Sequence, residues 1–104
     1  MTTRERTAPT RVHVRQLTND AWRAVANHFE IFDGDITLLQ SYRTIIAKRT
    51  GVGRLVLDED YYNWSRTTSK WRNYWTGLTT KETEQGIKDG SILLESLNPV
   101  NHVA

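Results

Sequence analysis

The 104-residue chain contains no cysteine, which excludes disulfides, iron–sulfur clusters, thiolate zinc sites and a cysteine nucleophile. Packing alone must hold it together. No apolar run approaches the roughly 18 residues that cross a bilayer, and Met1-Thr2-Thr3-Arg4-Glu5-Arg6 leads into no hydrophobic signal segment. A cytoplasmic protein with no membrane contact is expected. Histidine is scarce as well: His13, His28 and His102 lie far apart and fall in no nucleophile-and-base motif. The expectation is a protein that is not an enzyme and carries no cofactor.

What the chain does contain is enough for one core. Hydrophobic residues make up 38% and charged residues 25%, a globular composition, and the length suits a single domain. The formal charge of +2 and the pI near 9.2 are mild, so distribution matters more than sum. Arg66, Lys70 and Arg72 are unopposed between Tyr61 and Leu78, while acids gather at Asp33 and Asp35, at Asp58 to Asp60, and beyond Glu82.

Residues 1–10 are polar, include Pro9 and show no periodicity, which predicts a flexible arm. A single domain over 11–98 and a loose tail over 99–104 complete the division. Alternation at Val12, Val14 and Gln16 predicts a short edge strand with one covered face. Trp22, Val25, Ala26 and Phe29 recur at i, i+3, i+4 and i+7, which predicts a helix capped by Thr18 or Asn19 and ended by Asp33-Gly34. That spacing leaves His28 at the helix rim or surface. Ile36 to Arg49 and Arg54 to Asp58 are β-type runs joined through Thr50-Gly51-Val52-Gly53, a hairpin.

Further on, Ser65 or Thr67 to Ser69 can cap a helix whose stripe is Trp71, Trp75 and Leu78, with Gly77 placed to stop it. Thr79-Thr80-Lys81-Glu82 has the form of a capping box opening a second helix toward Gly90. Ile92 to Leu97 is a final apolar segment. Together these predict an α+β fold, a small antiparallel sheet or hairpin packed against two or three helices. The core expected from periodicity is Trp22, Phe29, Ile45, Leu55, Leu57, Trp71 and Trp75.

Few residues suggest chemistry. Asp33-x-Asp35 and Asp58-Glu59-Asp60 lack the calcium-loop pattern and read as solvated turns, and no metal site is expected. The segment Tyr61 to Trp75 differs in kind, because six of its fifteen residues are aromatic and three are basic. Polar side chains between them can donate to phosphates or base edges. The same aromatics at helical spacing also suit a core. The expected nucleic-acid-binding set is Arg43, Lys48, Arg49, Arg54, Arg66, Lys70, Arg72 and Asn73, a basic surface shared by helix and hairpin.

Ser41-Tyr42-Arg43-Thr44, the return strand Gly53 to Leu57, and Ser65-Arg66-Thr67-Thr68-Ser69-Lys70-Trp71-Arg72-Asn73 resemble segments of small uncharacterised proteins from bacteriophages and mobile elements. The resemblance implies a phage setting and the host cytoplasm, and it transfers no catalytic residue. Two binding functions follow as expectations. One is contact with nucleic acid through the basic, aromatic helix surface. The alternative is an inhibitor or modulator that binds a host protein, since exposed Trp, Tyr and Arg also dominate protein interfaces.

Overall fold

A computed structural model describes residues 12–99; the expected N-terminal arm and all but the first residue of the expected tail lie outside them. Six strands form one sheet: β1 Val12–Thr18, β2 Ala24–Asp33, β3 Ile36–Ser41, β4 Thr44–Arg49, β5 Leu55–Asp58 and β6 Ile92–Glu95. Between β5 and β6 run two helices, α1 Arg66–Thr76 and α2 Thr80–Asp89. The strands lie in chain order, antiparallel except for β5 and β6. That last pair is parallel, so a crossover is obligatory, and the two helices supply it. Strand accounts for 42% and helix for 24% of the described residues. The sheet is therefore the body of the fold, which corrects the expected small hairpin against two or three helices.

The largest correction is the first expected helix. Residues 24–33 are strand β2, paired to β1 on one side and β3 on the other. Asn19 captures backbone amides as a cap would, but its Oδ1 accepts from Ala21 N and Arg23 N and so closes the β1–β2 turn. The helical spacing has a local cause. Asn27 sits at φ +64°, an irregularity in β2, and Val25 and His28 on either side are both buried. An interrupted strand thus buries residues three apart, as a helix does. Trp22, placed in the core by that pattern, is in the turn and 87% exposed. His28 is 1% exposed, not a rim residue.

The register puts His28, Glu30 and Phe32 on the same face as Ser41, Leu39 and Thr37. Both helices pack on this face: from α1, Trp75 Nε1 donates to Glu30 Oε2 at 2.8 Å and Trp71 lies 6.1 Å from the His28 ring, and from α2, Gly86 lies directly against Ile92, which the register puts on the Leu39 side of the sheet. Leu39, Ile46, Ala47, Leu57 and Ile92 form the buried centre. A bulge in β4 opposite Leu39 and Gln40 explains why the consecutive Ile46 and Ala47 are both buried. Of the core expected from periodicity, Leu57 is fully buried, while Phe29, Ile45, Leu55, Trp71 and Trp75 are half-buried. Leu57→Ala is expected to cost about 2–5 kcal/mol, and Trp22→Ala within about 0.5 kcal/mol of nothing. Urea titration of both variants checks the pair, and a large loss at Trp22 would contradict its placement.

The helix ends follow the local chemistry read from the sequence. Ser65 caps α1 by accepting from Thr68 N, and Gly77 at φ +79° closes it with its N–H on Asn73 O. Thr79 and Glu82 make a reciprocal capping box on α2. The Asp33-Gly34 turn is also present, joining β2 to β3 with Gly34 at φ +62°. Gly51 and Val52 lie in the turn between β4 and β5. The edge expected at β1 is found among the described strands, though Val12 and Val14 are more than half exposed rather than covered.

Candidate functional site

Where β3 ends and α1 begins, the two halves of the fold meet around a cleft of about 410 Å³, within the size range of small-ligand sites. Ser41, Tyr42, Thr44 and Ile46 line it from the β3–β4 hairpin. Ser65, Thr67 and Thr68 line it from the cap and first turn of α1, and Tyr61 and Trp64 from the connecting loop. The Ser-Tyr-x-Thr and Ser-x-Thr-Thr segments, over twenty residues apart in sequence, thus build one surface. No charged side chain is among these lining residues.

The hairpin apex holds strain. Tyr42 has φ +58° and donates its N–H to Asn27 O at 2.6 Å, so two non-glycine residues in left-handed conformations brace each other. Such residues cost of order 1–3 kcal/mol and persist where the surroundings hold them. Tyr42, 54% exposed, stands edge-on to His28 and lines the cleft. Across from it Trp64 is 70% exposed and packs at 5.2 Å against Tyr61.

Below the aromatic rims runs a buried row of polar groups. His28 Nδ1 lies 2.8 Å from Ala26 O, and its Nε2 lies 3.0 Å from Ser41 Oγ. Ser41 Oγ is 3.3 Å from Thr68 Oγ1, to which Ser65 Oγ donates at 3.1 Å. His28, Ser41 and Thr68 are each under 5% exposed. The row pins the start of α1 to β2 and β3. Ser41 and His28 have the spacing of a nucleophile and its base, yet the Ser41 hydroxyl is engaged on both sides at the floor of the cleft.

The eight residues expected to form one basic surface are not brought together. Arg43 is exposed in the β3–β4 turn, next to Tyr42 in the chain, and Arg66 and Lys70 are exposed in the first turns of α1. These three sit at the cleft end of the molecule. Arg49 and Arg54 flank the opposite turn, where the Arg49 guanidinium stacks 4.4 Å over Trp75 at the far end of α1. Lys48 points to the other face of the sheet and pairs with Glu95 at 3.7 Å. Asn73 is half-buried and donates to Thr80 Oγ1.

Arg72 departs furthest from its expected role. It is 1% exposed and braces the loop before α1 against the start of α2. Its Nη1 donates to Tyr62 O at 2.6 Å and its Nη2 to Asn73 Oδ1 at 2.9 Å. Burial pushes the guanidinium pKa below its ordinary value, with Tyr62 and Glu84 pulling the other way. It belongs to the interior and not to a basic surface.

The second acidic turn is organised by one buried carboxylate. Asp58 is 1% exposed, with Oδ2 accepting from Asp60 N and Tyr61 N and Oδ1 from Leu97 N and Asn98 Nδ2. Its oxygens are engaged by three backbone amides and the Asn98 side chain, and among the described residues no group of three or more acids and histidines is placed to hold an ion.

Fold and cleft together define a small one-sheet protein with both helices on one face and an uncharged, aromatic-rimmed cleft at one end. Residues 12–91 match a family of unknown function (DUF8033), and the chain belongs to that family. No curated protein and no solved structure matches it. No helix among the described residues is long and apolar enough to cross a membrane.

Proposed function

We propose that the protein binds single-stranded nucleic acid at the α1 N-terminal end, the cleft receiving a base while the cations beside it meet phosphates. The observation that carries this is the pairing of exposed Trp64 and Tyr42 at an uncharged cleft with Arg43, Arg66 and Lys70 exposed around it. Stacking platforms with flanking cations are how single strands are held without a groove code. The footprint is narrower than the helix-and-hairpin surface expected from sequence, and it centres on the two hydroxyl-rich segments. Binding without catalysis suits Ser41, whose hydroxyl is held from both sides. The phage setting implied by the motif resemblance also supports a binding role in the host cytoplasm.

Fluorescence anisotropy with a short single strand tests this. Three phosphate contacts on a single strand give a slope of log affinity against log salt of roughly −2, since each contributes about −0.7. No binding at tens of micromolar protein, a range that nonspecific binders reach at about physiological salt, would reject the proposal. A protein partner engaged through Trp64 and Tyr42 would then be the reading left, recognisable by weak salt dependence.

A further inference from the structure

One carbonyl sets the direction of every hydroxyl in the polar row. Ala26 O can only accept, so His28 Nδ1 carries a proton, and in the neutral imidazole Nε2 is then a lone pair. In that tautomer Ser41 donates to it. With its proton committed, Ser41 Oγ can only accept from Thr68, and Thr68 Oγ1 accepts in turn from Ser65. All three hydroxyl protons point inward along the row. What Ser65, Thr68 and Ser41 have left is lone pairs, so these three hydroxyls offer acceptors and no donors.

We propose that the cleft takes guanine by its N1–H and N2–H₂ edge, an inference that rests on the nucleic-acid reading above. Guanine alone among the common bases presents two adjacent donors on its Watson–Crick edge. Adenine and cytosine set one amine beside a ring acceptor, and thymine or uracil sets one N–H between two carbonyls. Against a row of lone pairs lining the cleft these bring acceptor onto acceptor, which leaves buried groups unpaired. Single-stranded readers recognise splayed bases by that edge combined with aromatic stacking, and Tyr42 and Trp64 supply the aromatic faces. The Thr67 hydroxyl, outside the row but in the same lining, can donate to the guanine O6.

The test changes the base rather than the protein. Oligothymidine strands carrying one central guanosine, 7-deazaguanosine, inosine or adenosine are compared by anisotropy with the wild-type chain. Guanosine and 7-deazaguanosine, which share the N1 and N2 edge, are expected to bind alike and about tenfold tighter than adenosine. Inosine, lacking only the N2 amine, is expected to lose about two- to tenfold. Inosine equal to guanosine, or adenosine equal to guanosine, overturns the guanine assignment while leaving nucleic-acid binding intact. Failure of every strand to bind overturns both. Ser65→Asn keeps a capping acceptor on α1 but turns amide protons toward the row, and it is expected to cut the guanosine advantage. An undiminished advantage in that variant places the base elsewhere and overturns the proposal.

Discussion

Arg72→Glu is expected to destabilise the fold by about 3–5 kcal/mol, whereas Arg66→Glu and Lys70→Glu, two helical neighbours of the same charge, are each expected to shift stability by no more than about 0.5 kcal/mol. The difference lies in what surrounds each cation. Arg66 and Lys70 are exposed, and Lys70 rests over the Trp71 ring at 4.8 Å. Arg72 is enclosed, stacks 5.6 Å from the Tyr62 ring, and directs its guanidinium at the Tyr62 carbonyl and the Asn63 and Asn73 side-chain oxygens. A carboxylate there would face acceptors with nothing to donate, in a low-dielectric site near Glu84. Arg72→Met separates charge from packing. It keeps much of the apolar stem while stranding the Tyr62 carbonyl, and Arg72 Nε has no partner to lose. An intermediate loss of about 1–3 kcal/mol is expected. Thermal melts and urea titrations of the four variants decide the matter, and equal stability for Arg72→Glu and Arg66→Glu would place Arg72 at the surface.

Helix ends and turns were the legible part of this fold, because their chemistry is local. Ser65, Gly77, Thr79 with Glu82, and Gly34 all act where their residue types predict. What failed was periodicity across irregular strands. Asn27 and the β4 bulge each break the two-residue alternation, so Val25 and His28 mimic a helical face and Ile46 and Ala47 are buried side by side. The buried polar row was hidden for a related reason, since His28 on a helix has no route to Ser41. Only the β2–β3 register sets them opposite each other. The cleft itself had a visible signal in the two hydroxyl-rich segments, but nothing local says that Ser41 and Thr68 touch. Charge counting misled at Arg72, because a basic residue beside aromatics looks the same whether the aromatics are covering it or flanking it.

Removing the Trp64 ring is the largest change expected in binding. Trp64→Ala should weaken single-strand affinity by about 10- to 100-fold, since stacking on one aromatic is worth about 1–3 kcal/mol per base. It should leave stability almost untouched, because the side chain is 70% exposed and the buried core cluster does not include it. A tryptophan this exposed gives up much of the burial energy its ring would gain inside, and here it does so at the rim of the cleft. Val52→Ala is the matched control, an apolar residue 93% exposed in the β4–β5 turn at the opposite end of β4. It is expected to change neither binding nor stability. The salt slope separates the roles further: Trp64→Ala should lower affinity with the slope kept near −2, while Arg66→Glu should lower affinity and flatten the slope by about 0.7. Anisotropy titrations at three salt concentrations read both quantities. If Trp64→Ala bound as tightly as the wild type, the base would not be held at this cleft, and the three cations would remain as a purely electrostatic surface.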